Sequence, residues 1–235
     1  MQKISHDQQI IWFDERYLNV DPRCCFDVEF WQQQGVIIGS AQGRGTTWFL
    51  AGDTIDMALR HYRRGGLFGK IISDSYWFTS WNKTRSYAEL MLLKVLRDGG
   101  VNVPRPVAAR VEKKGCIYQA DILVEKIANS RDLVAVLIEA SLPKSVWYQI
   151  GQMIRKMHEL QVCHTDLNAH NILLDTNHQV WLIDFDKCYQ QQGDHWKKDN
   201  LARLERSFIK EVKKRNIQWQ MQDWQALLDG YNQQE

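Results

Sequence analysis

The chain has 235 residues, 44% of them hydrophobic, with ten tryptophans and a formal net charge of +2. That is enough apolar material for one domain or two small lobes around a cleft, and too little net charge to argue for a nucleic-acid partner. Five cysteines, an odd number with no Cys-x-x-Cys pair, suggest neither a disulfide framework nor a zinc site and fit reduced thiols in a cytoplasm.

The residues from Met1 to Gln9 lack the apolar core of a signal peptide, and no apolar run approaches the ~18–20 residues that span a bilayer. The chain is expected to be soluble, or at most to sit on a membrane surface. Residues 36–64 read as strands broken by glycines: Gly35-Val-Ile-Ile-Gly39, Thr46-Thr-Trp-Phe-Leu50 and Met57-Ala-Leu-Arg-His-Tyr62. A helix is expected over roughly 85–98, with Tyr87, Leu90, Met91 and Val95 on one face and Gly99-Gly100 as its stop. Val103-Pro-Arg-Pro106 then holds the backbone extended.

Two more strands, about 107–112 and 116–125, flank the turn at Glu112-Lys-Lys-Gly115. After Asn129 the pattern turns helical. Val146, Ile150, Met153, Ile154, Met157 and Leu160 recur at intervals of three and four, the stripe of a buried helix face. Ile172-Leu-Leu174 and Val180-Trp-Leu-Ile183 predict a short hairpin around Thr176-Asn-His178. Trp224, Leu227, Leu228 and Tyr231 mark a last helix. The first half is thus mainly sheet and the second mainly helix, with a hinge near Glu125–Asn129.

The chemistry-bearing pattern is His164-Thr-Asp166-Leu-Asn-Ala-His-Asn171, followed thirteen residues later by Asp184-Phe-Asp186. It resembles the catalytic loop and metal-binding motif of protein-kinase-like enzymes. Phosphoryl transfer needs a carboxylate to orient the acceptor hydroxyl and take its proton, and oxygen ligands to hold magnesium against the phosphates. The resemblance implies the first role for Asp166 and the second for Asn171 and Asp184, with ATP and Mg2+ as cofactors. Read singly, Asp166 and Asn171 are ordinary loop caps and Asp184 a strand end; the joint spacing argues against that.

Upstream, Gly39-Ser-Ala-Gln-Gly43-Arg-Gly45 resembles a glycine-rich phosphate loop between two strands, in an altered Gly-x-x-x-Gly-x-Gly spacing. Ala58-Leu-Arg60 resembles the strand that carries the family's phosphate-binding lysine, with arginine in its place; Lys70 is a rival. Glu89 is the expected acidic partner, although Ser86-x-x-Glu89 is also the spacing of a capping box. Leu123-Val-Glu125-Lys-Ile127 resembles the hinge that binds adenine through backbone groups of Glu125 and Ile127.

Only about fifty residues follow Asp184, with no long activation segment and no Ala-Pro-Glu anchor, and Asn168 stands where protein kinases have lysine. No protein substrate is therefore expected. Leu59-Arg-His-Tyr-Arg-Arg-Gly-Gly-Leu67, Asp184-Phe-Asp-Lys187 and Trp196…Asn200-Leu-Ala-Arg-Leu-Glu-Arg206-Ser, with the catalytic loop, resemble the Kdo (3-deoxy-D-manno-octulosonic acid) kinases, relatives of the lipopolysaccharide core kinases. That resemblance implies an α+β, protein-kinase-like two-lobed fold. Its N-terminal antiparallel sheet lobe would cover residues 1–127 and a smaller helical lobe residues 128–235. It further implies transfer from ATP to the 4-hydroxyl of Kdo on a lipid A precursor, at the cytoplasmic face of the inner membrane.

The charge pattern suits such an acceptor. Arg63 and Arg64, with Lys187, are candidate substrate contacts. Lys197, Lys198, Arg203, Arg206, Lys210, Lys213, Lys214 and Arg215 make the penultimate helix basic, as an anionic membrane surface would require; a merely solvated face is the other reading. A kinase of the aminoglycoside or choline type would share the ATP chemistry, but a cationic acceptor calls for an acidic pocket. A nucleotide-binding scaffold would not need Asp166, Asn171 and Asp184 together, and no nucleic-acid-binding motif accompanies the basic helix.

Overall fold

A computed structural model describes residues 1–43, 45–64 and 74–233. The chain divides into two compact units, Met1–Lys94 with Arg105–Lys126, and Val95–Pro104 with Ile127–Glu235. They are of nearly equal length, because residues 95–104 run with the helical unit.

The first unit is built on an antiparallel sheet. Its elements are β1 (Gln2–His6), β2 (Gln9–Phe13), α1 (Val28–Gln33), β3 (Ile37–Gln42), β4 (Thr46–Leu50), β5 (Met57–His61) and β6 (Tyr76–Trp77). They are followed by α2 (Arg85–Asp98), β7 (Pro106–Lys114) and β8 (Ile117–Glu125). Among the described residues the strand order is β1-β2-β7-β8-β5-β4-β3, with β6 pairing on β8. Alternation along β5 sends Met57 and Leu59 into an apolar core and Ala58 and Arg60 to the opposite face. That core also holds Ile11, Phe13, Leu18, Phe26, Trp31, Leu50 and Leu123. The N-terminal segment supplies much of it. The indole of Trp31 donates to the Cys25 carbonyl at 2.9 Å, and burial pushes the Cys25 thiol's pKa up.

On α2 the expected stripe is only partly buried. Its buried positions are Ser86, Glu89, Leu90, Leu92, Leu93 and Leu96, whereas Tyr87, Met91 and Val95 are half-buried. The run Leu90-Met-Leu-Leu93 is apolar all round, so spacing alone could not choose the face. Nor does a capping box form: the Ser86 hydroxyl donates to the Arg110 carbonyl at 3.0 Å, and Glu89 is engaged elsewhere.

The second unit is mainly helical. In order it contains β9 (Ser130–Asp132), α3 (Leu133–Glu139), α4 (Lys144–Glu159), β10 (Val162–Cys163), β11 (Ile172–Asp175) and β12 (Val180–Leu182). It closes with β13 (Tyr189–Gln190), α5 (His195–Arg215) and α6 (Met221–Asn232). The expected hairpin is β11–β12, and β9 adds a third strand to it that the helical pattern after Asn129 did not foresee. Of the α4 stripe, Val146, Ile150, Ile154 and Met157 are buried while Met153 and Leu160 are half-buried, and Trp147, Gly151 and His158 join the buried face. At Gly151 and Gly230 the two backbones meet, since a Cβ on Gly151 would lie 1.9 Å from the Leu227 carbonyl oxygen. No helix among the described residues is long and apolar enough to cross a membrane.

Candidate functional site

The motif residues 164–171 and 184–188 lie between the paired strands β10 and β13. His164 ties them together from a fully buried position. Its Nε2 lies 3.0 Å from the Ile183 carbonyl and its Nδ1 accepts the Asp166 N–H at 3.2 Å, which makes Nε2 the protonated nitrogen. Burial lowers its pKa, so the ring is held neutral. One imidazole therefore sets the backbone at the residue before Asp184 and at Asp166 itself.

The loop is further locked by its amides. The Asp166 carbonyl accepts from Asn168 Nδ2 and from Asn171 Nδ2, each at 2.9 Å. The Ile183 N–H donates to the Asn171 carbonyl at 3.0 Å, which brings the start of the Asp184 motif to Asn171. Asp184 itself has φ +63, a left-handed conformation that costs a non-glycine residue on the order of 1 kcal/mol. Lys187, at φ +66, is exposed on the same turn.

From below, α4, α5 and α6 hold the loop in place. Asn200 on α5 donates to the His164 carbonyl at 2.8 Å and accepts from His158 Nε2 at 3.1 Å. The Tyr231 hydroxyl donates to His158 Nδ1 at 2.8 Å, and burial pushes His158 down to about 4, so this ring too is neutral. Ser207 accepts the Ala169 N–H at 3.0 Å. Arg203, one helical turn before Ser207, places Nη1 3.3 Å from Asp166 Oδ1. In the sequence Asn200, Arg203 and Ser207 stood only inside the Trp196-to-Ser207 stretch that carries the family resemblance, with no role attached beyond Arg203's charge, and His158 did not stand out. Their partners lie about forty residues away, so no local spacing could signal them.

In the first unit the structure joins Arg60 and Glu89. Arg60 Nη2 lies 2.8 and 2.7 Å from the two carboxylate oxygens of Glu89, which is 5% exposed. The Tyr62 hydroxyl donates to the same carboxylate at 2.5 Å, and the Arg60 guanidinium sits 5.1 Å from the Tyr62 ring centre. Lys70, the rival of Arg60, lies outside the described residues.

Gly43 and Gly45 form the β3–β4 turn, where the Gly43 N–H donates to the Gly45 carbonyl at 2.9 Å. Gly39 is not in the turn but inside β3, opposite Phe49, next to a register shift. A Cβ on Gly45 would approach Arg63 Cδ to 2.9 Å, so Arg63 lies directly over the turn. Arg64 packs instead over the Tyr76 ring, 5.1 Å from its centre. At the end of β8 the Glu125 N–H donates to the Arg105 carbonyl and the Lys126 N–H to the Asp56 carbonyl, both at 2.8 Å. In the second unit, the Ile127 carbonyl accepts the Ser130 hydroxyl at 2.9 Å.

The donors fit a hard cation. Asn171 spends its Nδ2 on the Asp166 carbonyl, which leaves Oδ1 as the atom it presents, and Asp184 contributes a carboxylate. Two oxygen donors suit magnesium, which usually takes the remainder of its shell from substrate phosphates and water.

The sequence pattern of the lipopolysaccharide kinase (Kdo/WaaP) family matches residues 28–231. A 3-deoxy-D-manno-octulosonic acid kinase of Photobacterium profundum is 62% identical over 98% of both chains. One of Vibrio cholerae is 57% identical over the full length of both. One of Haemophilus influenzae is 51% identical over 99% of this chain and all of its own. Among solved structures, WaaP in complex with acyl carrier protein superposes with a TM-score of 0.63 at 16% identity, covering 96% of this chain and 89% of its own. The fold is protein-kinase-like, and by sequence over most of its length the chain belongs to the lipopolysaccharide kinase (Kdo/WaaP) family.

Proposed function

We propose that the protein transfers the γ-phosphoryl group of ATP to the 4-hydroxyl of the Kdo sugar on a lipid A precursor, Kdo-lipid IVA. The observation that carries this reading is full-length identity of 51–62% to relatives named 3-deoxy-D-manno-octulosonic acid kinase. The site chemistry supports it. Asp166 Oδ accepts the proton of the sugar hydroxyl as that oxygen bonds to the γ-phosphorus; the bond from phosphorus to the β–γ bridging oxygen breaks and ADP leaves.

Asn171 and Asp184 are the residues that would hold magnesium, which when bound neutralises phosphate charge. Arg60, oriented by Glu89 and Tyr62, grips phosphate oxygens, and the Gly43–Gly45 turn with Arg63 offers further donors to them. The backbone at Glu125 and Ile127 receives the adenine. Lys187 and Arg64 stand as lesser candidates for acceptor contact.

The enzyme works as a peripheral protein on the cytoplasmic face of the inner membrane. Arg206, Ile209, Lys210, Lys213 and Lys214 line a shallow groove of about 610 Å³ on α5, in which a 37%-exposed Ile209 is ringed by cations. Anionic headgroups over an apolar layer are its natural complement.

The test is phosphate transfer from labelled ATP to purified lipid A precursors with and without the Kdo sugar. Label is expected only in the Kdo-bearing lipid, at the 4-position by product analysis. Equal labelling of the Kdo-free lipid, or none of either, rejects the reading.

A further inference from the structure

Beside Asp166 lies a cavity of about 520 Å³, lined by the catalytic loop on one side and one face of α5 on the other. Its α5 wall comprises Arg203, Arg206, Ser207 and Lys210, spaced i, i+3, i+4 and i+7, so all four project from one helix face. Ser207, in the middle, is bonded to the Ala169 N–H and pins that face against the loop. Three cations are thereby gathered at the candidate base.

They are not there to neutralise protein acids. Glu211, also in the wall, is buried and already met by Arg215 at 3.1 Å and by His170 at 3.6 Å. Arg206 and Lys210 make no hydrogen bond or ion pair with any described residue. Arg203 has only Asp166, at 3.3 Å from an exposed carboxylate, a pairing worth little against solvent. A concave surface with two unspent cations and a third weakly held is suited to bind anionic oxygens.

We infer that this cavity is the acceptor's anion subsite, in which Arg203 takes the carboxylate of an acidic sugar while Arg206 and Lys210 take phosphates of its lipid. The inference rests on the proposed acceptor and adds the residues that select it. Arg203 is nearest the base, so it meets the group closest to the reacting hydroxyl. Arg206 and Lys210 stand one and two helical turns further along α5 and meet charges further along the acceptor. Arg203 then has two alternative partners, Asp166 in the absence of acceptor and the acceptor carboxylate in its presence.

Steady-state kinetics with Kdo-lipid, varying acceptor and ATP separately, decide the matter. Arg203→Ala is expected to raise the acceptor Michaelis constant by about ten- to a hundredfold, the range for a lost charged hydrogen bond, with that for ATP within twofold. With an acceptor whose carboxylate is reduced to the alcohol, Arg203→Ala and parent should differ by less than threefold. Arg206→Ala and Lys210→Ala should keep their defect with that acceptor and lose it with a dephosphorylated lipid. Arg203→Lys should recover part of the loss, and Lys144→Ala, which removes a charge that does not line the cavity, should match the parent. An Arg203→Ala defect as large on the reduced acceptor as on the acid would overturn the assignment. So would acceptor constants within twofold of the parent, or an equal rise for ATP. If the parent itself fails to phosphorylate Kdo-lipid, the acceptor reading falls and the subsite with it. If the parent succeeds and the variants are unaffected, the subsite alone falls.

Discussion

Arg60 Nη2 lies within 2.8 Å of both carboxylate oxygens of the buried Glu89. The Tyr62 hydroxyl occupies the same carboxylate from another side, so the buried acid has a cation and a hydroxyl to compensate it. A guanidinium carries five N–H donors in a fixed fork, and here a buried acid orients it.

Arg60→Ala is accordingly expected to raise the Michaelis constant for ATP and lower turnover, with the constant for acceptor little changed. The substitution also removes a cation from the buried Glu89, so the variant should melt earlier than the parent. Kinetics on Arg60→Ala and Lys70→Ala, varying each substrate in turn, separate the two rivals. An ATP defect belonging to Lys70, with Arg60→Ala near normal, would reverse the assignment.

Asp166 and Asp184 should fail differently when neutralised. Asp166→Asn keeps the backbone bonds of the loop, because its carbonyl and N–H are what Asn168, Asn171 and His164 engage. ATP should bind nearly as before while turnover falls by roughly two to four orders of magnitude. Asp184→Asn should instead lose magnesium-dependent nucleotide affinity, since a hard cation needs the carboxylate charge. Calorimetry of nucleotide binding with and without magnesium tells them apart, and unchanged magnesium dependence in Asp184→Asn would remove that residue from the site.

The histidines give the stability a signed pH dependence. His158 and His164 are buried neutral with lowered pKa, His158 to about 4. Below about 6.5 the unfolded chain binds the protons these rings refuse, down to about 4 for His158, so their contribution is present above that range and fades as pH falls. For His158 alone the loss from pH 7 to 5 is about 2 kcal/mol. His61 runs the other way. It bridges Asp121 at 2.7 Å and Asp74 at 3.3 Å, chiefly the Asp121 contact raises its pKa, and its contribution is lost as pH rises through the folded value. Urea unfolding at pH 5 and 7 should show a shallower acid loss in His158→Gln than in the parent. In His61→Gln the stability should decline less on the alkaline side. Parallel pH profiles for all three proteins would contradict this account.

The motif was readable in the sequence where its bonds are local: Asn171 Nδ2 reaches the Asp166 carbonyl, and the Ile183 N–H, next to Asp184, reaches the Asn171 carbonyl. What escaped are the long-range anchors. β1 (Gln2–His6) is mostly exposed and pairs at the sheet edge, and β2 finds β7 a hundred residues away, as Gln9 does Glu112. Neither carries the apolar alternation that marks a half-buried strand. Asn200 and Ser207 look like ordinary helix polar residues until their partners at His164 and Ala169 are known. The pairing of α4 with α6 through Gly151 and Gly230 is equally silent, since a helical glycine reads as a weakness until a neighbouring backbone needs its space.

That glycine contact makes a stability prediction. A methyl at Gly151 would meet the Leu227 carbonyl oxygen at 1.9 Å and the Tyr231 nitrogen at 2.7 Å, and one at Gly230 would meet the Tyr148 carbonyl at 2.0 Å. These are backbone atoms, so the helices must part. Despite alanine's better helix propensity, either variant should lose about 1–3 kcal/mol. The melting temperature should fall by roughly 2–4 °C for each kcal/mol. A melting point equal to or above the parent's would show that α4 and α6 are not packed so closely.

Membrane association is expected to be electrostatic and to run through the same helix as the acceptor cavity. Arg206, Lys210, Lys213 and Lys214 recur at intervals of three and four on α5, with Ile209 exposed among them. Each charge that contacts an anionic bilayer contributes up to ~1 kcal/mol, and the attraction decays over a Debye length of about 8 Å at physiological salt. Co-sedimentation with vesicles rich in phosphatidylglycerol should therefore be strong at low salt and largely abolished near 0.5 M. Lys213→Glu with Lys214→Glu should weaken vesicle binding at low salt while leaving transfer to detergent-dispersed acceptor near the parental rate, because neither lysine lines the cavity at Asp166. Ile209→Asp should reduce the fraction that resists salt. Equal sedimentation with purely neutral vesicles, or salt-independent binding, would show that charge is not what brings α5 to the bilayer.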